Sequence, residues 1–316
     1  MFRIACILLA LLFAASSLAW VMLDRSPPNW DDAWYLTNSL TVYDALTHGG
    51  VAGYLTKLNS VFGFKAPLIA ALPAPFYLIF GRRWHAAYLV NIASMFLLFT
   101  ALYRLASRWW NSRAAVFAIA IAGTMPLLYG LSRWYMAEYV LTALVAAAVC
   151  ALVESEFLWF GVLSGFGLLL KVSYPLFVLP VFLYVWSKSA QRVRTLLLAA
   201  IPCLAIALPW YVGHLRPTLA NALDAGFGAP AAIQGTGPIF AIHTIALYLS
   251  HVAANGISYY FLFLALVLTP WAFRAMKAMA LLAAWVVPFA LFLFGGNKDV
   301  RYIAPLCPQW PWRSHS

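Results

Sequence analysis

Ala66-Pro67-Leu68-Ile69-Ala70-Ala71-Leu72-Pro73-Ala74-Pro75-Phe76-Tyr77-Leu78-Ile79-Phe80 is apolar enough to cross a bilayer, yet it carries three prolines. Proline lacks a backbone donor and breaks a helix interior, so the segment reads as a broken, interfacial element rather than a span. Its status sets the sidedness of everything that follows. If it does not cross and Arg3 is cytoplasmic, then Arg104, Arg108, Arg113, Lys188, Arg192, Arg194, Arg274 and Lys277 all fall inside, with Arg82-Arg83 as the exception. If it crosses, the basic clusters at 104–113 and 188–194 move outside, against the positive-inside tendency. The non-spanning reading is the consistent one.

Outward from that segment the chain is lipid-compatible nearly throughout. Of 316 residues 65% are hydrophobic and 9% charged, against roughly 25% charged in a soluble domain. So few charges cannot cover a water-facing exterior, which excludes a soluble globule. Apolar runs fit spans at about 4–23, 86–103, 114–131, 137–153, 157–170, 174–186, 195–213, 244–270 and 278–295, with a tenth beginning near Tyr302. The expected fold is all-α, a polytopic membrane protein with about nine or ten transmembrane helices and an outer juxtamembrane helical loop. Met1-Phe2-Arg3 resembles a signal-peptide start, but the apolar run reaches Leu23, so an uncleaved first span is expected.

The net charge of +11 is scattered in ones and twos between apolar segments, a topological pattern rather than a nucleic-acid face. Cys6, Cys150, Cys203 and Cys307 lie in apolar runs without paired spacing and read as packing residues.

Residues 1–308 form the expected membrane domain, with a first outer loop at 24–85, a second long outer loop at 214–243 and an atypical tail at 309–316. In the first loop, Trp34, Leu36, Leu40, Tyr43 and Leu46 recur at helical intervals, predicting a helix on the membrane surface. The second loop is rich in Gly and Pro (Gly226, Gly228, Pro230, Gly235, Gly237, Pro238), which suits a flap over a site.

The acids gather on the outer side: Asp24, Asp31, Asp32, Asp44, Glu138, Asp224 and Asp299, with only Glu154 and Glu156 inside. Asn29-Trp30-Asp31-Asp32-Ala33-Trp34-Tyr35 places two carboxylates among aromatics directly after a span, where burial and mutual repulsion raise a carboxyl pKa toward that of a general base. The competing role is capping of the helix that follows. Lys65 sits just before a turn and is a candidate phosphate receptor or a snorkelling anchor. Arg133 and Glu138 flank the second outer turn, and Glu138 too could simply favour a helix N-terminus. Lys171 lies between two short apolar halves and must face water or the protein interior. Asn297-Lys298-Asp299-Val300-Arg301-Tyr302 returns cations to the outer face, where a guanidinium suits phosphate. His48, His85, His214, His243 and His251 show no metal spacing beyond His243 and His251 on neighbouring turns, so a divalent metal ion is an unassigned candidate cofactor.

In their order these motifs resemble the GT-C superfamily of membrane glycosyltransferases, particularly the family 39 group of protein O-mannosyltransferases and lipid A aminoarabinose transferases. Asp31-Asp32-Ala33-Trp34-Tyr35 looks like that group's acidic motif after the first span. Lys65-Ala66-Pro67 matches its basic-Pro-Pro element except at Ala66, and Glu138 stands where an Asp is more frequent. Lys171 to Pro175 loosely echoes a Lys-Gly-Pro element, and Arg301-Tyr302-Ile303-Ala304-Pro305 matches an Arg-Tyr before Pro. The resemblance implies inverting transfer of a sugar from a polyprenyl-phosphate donor to an acceptor (protein, lipid or cell-envelope glycan) at the outer face of the cell membrane, a bacterial inner or plasma membrane. It implies Asp31 or Asp32 as base, Glu138 assisting the acceptor or a metal, and Lys65, Arg301 and Lys298 on the leaving phosphate. Tyr35, Arg133, Lys171 and Tyr302 complete the expected substrate-binding set. The partners are then the lipid-linked donor, the acceptor and the bilayer, with no nucleic acid.

Two other readings stay open. A polytopic transporter or lipid flippase would also place Lys171 within the membrane. The ending Pro308-Gln309-Trp310-Pro311-Trp312-Arg313-Ser314-His315-Ser316 interrupts an apolar run, as an inactive truncated remnant would.

Overall fold

The computed structural model describes residues 2–229, 231, 238–263, 267, 286 and 288–309. Among these there is no strand. Residues 264–266, 268–285 and 287 include the first part of the expected span at 278–295, together with Arg274 and Lys277, and lie outside the described set, as do Pro230, Gly235, Gly237 and residues 310–316.

Helix α1 (Phe2–Leu23) is a membrane-spanning length of uncharged sequence after Arg3, and it shows one narrow face to the protein through Cys6, Ala10, Ala14, Ser17 and Val21. Ile4, Ile7, Leu8, Leu11, Leu12, Trp20, Met22 and Leu23 of α1 are exposed, as expected for a lipid-facing helix, whereas Phe13 stacks edge-on against Phe99. The predicted surface helix is α2 (Trp30–Ser60), which turns Leu36, Ser39 and Val42 inward and breaks at Gly50. Gly50 has φ +59°, a region that side chains with a Cβ rarely enter, so the Gly49-Gly50 pair divides α2 in two.

The proline-rich segment folds as two short helices, α3 (Leu68–Ala71) and α4 (Ala74–Phe80), separated at Leu72-Pro73. It does not form one continuous span; it is clamped to α2, where the Tyr77 hydroxyl lies 2.8 Å from the Ser39 hydroxyl and Tyr54 reaches the Ala71 carbonyl. Arg82, just beyond α4, holds Asp44 of α2 through two hydrogen bonds of 2.7 and 2.8 Å. The break expected from the prolines is therefore real, and it brings Lys65 back beside the start of α2.

Next come α5 (Trp84–Ala87) and α6 (Leu89–Trp109), which together run as one apolar stretch long enough to span, then α7 (Ser112–Thr124) and α8 (Pro126–Leu131). Asn111 caps α7, its side chain accepting from the backbone of Arg113 and Ala114, while Pro126 interrupts the ladder and starts α8. Helix α9 (Ala137–Val153) is buried at every position from Ala137 to Leu152. A helix apolar on all faces belongs in the middle of a bundle, and α9 is surrounded by α6, α10 (Phe157–Leu170), α11 (Tyr174–Lys188) and the 3-10 segment Val300–Gln309.

Helices α10 and α12 (Arg192–Phe227) cross closely because Gly161 and Gly165, four residues apart, leave room for backbone. A Cβ on Gly161 would stand 2.4 Å from the Ala199 carbonyl oxygen, and one on Gly165 would stand 2.7 Å from Ile206 Cβ. Helix α12 continues through Pro202, Pro209 and Pro217 to Phe227. The outer loop expected from residue 214 is therefore helical in its first half, since Thr218 to Ala225 contains only side chains that a helix accepts and the glycines begin at Gly226. Helix α13 (Ile242–His251) runs into a π-helical turn, Val252–Ile257. The molecule is an all-α polytopic membrane protein.

The crossing of α10 and α12 yields a test. Gly161→Leu should lower the midpoint of thermal unfolding in detergent by the equivalent of about 1–3 kcal/mol, the usual range for overpacking. Gly213→Ala on α12, with nothing within 4 Å of its Cβ position, should leave the midpoint in place. Equal midpoints for the two variants would rule out the close crossing.

Candidate active site

The two adjacent aspartates separate completely. The helix cap is Asn29, and neither aspartate side chain makes a cap hydrogen bond. Asp32 is 5% exposed, and both its oxygens are engaged: Oδ2 accepts from the Tyr88 hydroxyl at 2.9 Å and Oδ1 from the Tyr135 backbone N–H at 3.1 Å. Burial pushes the Asp32 carboxyl up, while the Tyr88 and Tyr135 hydrogen bonds pull it partly back. Tyr135 in turn donates its hydroxyl to the Ile69 carbonyl at 2.5 Å. Asp32 thus ties α2 to the head of α6, the α8–α9 turn and the proline segment.

Asp31 points the other way, into a charged cluster. Its Oδ2 accepts from Arg301 Nη1 at 2.8 Å, and Arg301 Nε is held by Asp299. Opposite, Glu138 stands in the first turn of α9, 4% exposed, and its Oε1 accepts from Lys171 Nζ at 2.6 Å. A carboxylate buried there needs a cation, and Lys171 supplies it from the turn after α10. That turn is set by Gly167, whose missing side chain leaves room for the Tyr174 ring; a Cβ would stand 2.3 Å from it. Lys171 also lies over the Tyr302 ring at 4.4 Å, and Tyr302 stacks on Phe292.

Lys65 completes the cluster. It is half-buried, its Nζ lies over the Trp34 indole at 4.6 Å and over the Tyr35 ring at 5.7 Å, and Trp34 is itself packed on Phe62 and Phe64. Among the described residues no carboxylate lies within ion-pair distance of it. Burial holds its amine below the usual lysine range, opposed by the charge of Asp31, with Lys171 and Arg301 adding repulsion. The Tyr35 phenol is pushed far up by burial, then by the negative charges of Glu138 and Asp31, and stays protonated.

Of the expected site residues, Asp31, Tyr35, Lys65, Glu138, Lys171, Arg301 and Tyr302 come together from five separate segments of the chain. Lys298 and Arg133 do not join them. Lys298 is buried beside Tyr248 of α13, with the Leu293 carbonyl as its hydrogen-bond acceptor, and Arg133 lies against Tyr129 and Trp20 near α1. Sequence reasoning missed the parts played by Trp34 as the platform for Lys65, by Tyr88 and Tyr135 as the partners of Asp32, and by Asp299 as the second partner of Arg301. Asp299 lay in the quoted motif; Tyr88 and Tyr135 gave no local signal. His243 and His251 are both exposed on α13, and among the described residues no three His, Cys, Asp or Glu side chains gather as metal ligands.

Outside the cluster, Arg3 donates to the Tyr103 hydroxyl, and Arg104 pairs with Glu154 at the far end of α9. The charged groups of α9 thus stand at its two ends, about 24 Å apart at 1.5 Å per residue.

This architecture is an all-α membrane fold shared with ArnT. Residues 64–212 match the family model described as dolichyl-phosphate-mannose-protein mannosyltransferase. The chain is similar to ArnT from Cupriavidus metallidurans bound to undecaprenyl phosphate, with a TM-score of 0.69 and 17% identity over 97% of this chain and 58% of that one. The apo state of the same protein aligns with a TM-score of 0.64 and 18% identity, covering 95% and 57%. The chain therefore spans less than two thirds of the ArnT length. No curated protein sequence matches it.

The division between the aspartates is testable by stability. Asp32→Ala leaves the Tyr88 hydroxyl and the Tyr135 N–H without their acceptor and should destabilise by about 1–3 kcal/mol for each group left unpaired. Asp31→Ala should change the unfolding midpoint much less, because Asp31 is partly exposed and Arg301 keeps Asp299. A larger loss in Asp31→Ala than in Asp32→Ala would reverse the assignment.

Proposed function

We propose that the protein transfers a sugar from a polyprenyl-phosphate donor to an acceptor nucleophile at the outer membrane surface, with inversion at the anomeric carbon. The observation that carries this reading is Lys65: a half-buried cation, desolvated on an indole face and without a carboxylate partner, directed at a cluster that already holds Arg301, Asp31 and Glu138. Such a cation is an anion receptor, and a phosphate on a membrane-anchored carrier is the anion that a site at the head of a helix bundle can meet. The structural similarity to an ArnT whose structure holds undecaprenyl phosphate supports the same donor class.

In this reading the acceptor hydroxyl or amine attacks the anomeric carbon from the side opposite the phosphate. The bond from that carbon to the phosphate oxygen breaks, and the polyprenyl phosphate departs with the electron pair. Asp31, whose carboxylate is partly exposed, takes the acceptor proton, whereas Asp32 has no free oxygen to offer. Lys65 and Arg301 stabilise the charge growing on the phosphate, an electrostatic contribution that is large in a water-poor site. Glu138, held by Lys171 through Oε1, has Oε2 buried without a hydrogen-bond partner and presents it to the acceptor. Among the described residues no three His, Cys, Asp or Glu side chains gather to hold a metal ion, and the acceptor proton goes to Asp31.

The outer face is supported by the distribution of cations. At the end of the bundle opposite Glu138, Arg3 donates to the Tyr103 hydroxyl and Arg104 pairs with Glu154, and the turn from α11 to α12 carries Lys188 and Arg192. The positive-inside tendency assigns that end to the cytoplasm. A transporter would need ionisable groups distributed through the membrane depth, whereas here the cluster is confined to one end.

Two measurements test the reading. Transfer from a polyprenyl-phosphate sugar should fall about 100-fold or more in Asp31→Asn, the usual scale for loss of a general base, and comparably in Lys65→Ala; undiminished turnover in both would refute it. Because burial lowers the Lys65 pKa and a bound phosphate raises it again, donor binding should take up a proton. Affinity should be complete below the free-site pKa of Lys65 and decline as pH rises through it, and Lys65→Arg should flatten that dependence in a binding titration.

A further inference from the structure

Arg133, which the cluster does not use, has its own surroundings on the opposite side of the Asp32 connection. Its guanidinium carbon lies 3.6 Å from the centroid of the Tyr129 ring and 4.8 Å from that of Trp20. Its hydrogen bond to the protein is from Nη2 to the Ser16 hydroxyl, at 3.2 Å, and Nε is buried without an acceptor. A guanidinium carries five N–H donors. Arg82, Arg104 and Arg301 each hold a carboxylate, but among the described residues Arg133 has none within ion-pair distance.

The position explains what is missing. Ser16 lies seven residues before the end of α1, about 10 Å down the helix axis. Serines line the seam: Ser16 pairs with the Tyr129 hydroxyl at 2.7 Å, and Ser17 with Ser132 at 2.8 Å. Beside it Trp20 is 49% and Trp134 47% exposed, with Met22 and Leu23 exposed above. Indole rings half in contact with solvent or lipid, at the end of a spanning helix, mark the headgroup boundary. The guanidinium thus sits at headgroup level in a seam between α1 and the α8–α9 turn, with donors to spare.

We propose that this seam is a binding site for the headgroup of an anionic glycerophospholipid, whose phosphate oxygens take the free guanidinium donors while its acyl chains lie along the exposed face of α1. A planar fork of donors matches two phosphate oxygens. The seam offers hydroxyls and aromatic faces, and the neighbouring carboxylate, Asp24 beside the Trp20 indole, is already engaged by the Ser26 N–H, which favours a headgroup of net negative charge over a zwitterionic one. Because Tyr135 lies two residues beyond Arg133 and donates to Asp32, the lipid would also steady the turn on which that carboxylate depends.

Native mass spectrometry and thermal unfolding of the full chain, titrated with phosphatidylglycerol, phosphatidylcholine or inorganic phosphate, test the proposal. Phosphatidylglycerol should be retained and should raise the unfolding midpoint, with phosphatidylcholine bound about tenfold more weakly, a difference near 1.4 kcal/mol. Inorganic phosphate at equal concentration should not substitute. Arg133→Gln should lose the preference and Arg133→Lys should keep only part of it, whereas Lys65→Ala should retain it. Equal binding of the two lipids by the unaltered protein would overturn the proposal even if Arg133→Gln fails to fold. So would full replacement by inorganic phosphate, an unchanged preference in Arg133→Gln, or its loss in Lys65→Ala.

Discussion

A single buried carboxylate holds together the end of the molecule that carries the charged cluster. Asp32 accepts from a side chain at the head of α6 and from the backbone before α9, and Tyr135 extends the connection to Ile69 in the proline segment. Burying that charge is unfavourable by itself, so the arrangement stands only when all its donors are in place. With Asp32 fixed, helical geometry turns its neighbour Asp31 by about 100° toward Arg301. The carboxylate that faces the cluster is positioned by the enclosed one beside it.

A second constraint comes from the central helix. Because α9 is enclosed on every side, Glu138 has no access to bulk water and must be neutralised locally, which Lys171 does from the turn after α10. That turn depends on Gly167 accommodating Tyr174, and the crossing of α10 with α12 depends on Gly161 and Gly165. Small residues far from the charges thus decide where the charges meet. Lys65, resting on Trp34, is the cation of the cluster that no carboxylate contacts among the described residues, because Arg301 takes two, and its ammonium is left open to an anion.

Much of this was legible in the residues. Three prolines in the 66–80 segment specified a broken element, and the structure shows two short helices folded against α2. The helical spacing of Trp34, Leu36, Leu40 and Tyr43 announced α2, because a period near 3.6 leaves a local imprint. The outer loop from residue 214 was misjudged: glycines beyond Gly226 dominated the reading, whereas the preceding residues propagate α12 through Pro217. Interior prolines in apolar helices give no clear stop signal, since neighbouring groups can satisfy the freed carbonyls.

Composition and periodicity by themselves determined a helical membrane protein and the short list of charged residues worth following. They could do so because hydropathy and helical period are properties of adjacent residues. The tertiary structure alone decided which aspartate faces the cluster, that Lys171 serves Glu138, and that Lys298 and Arg133 stand apart from it. The charged pairings among them join residues far apart in the chain, Glu138 with Lys171 and Asp31 with Arg301, and are fixed by helix crossings that no local pattern encodes.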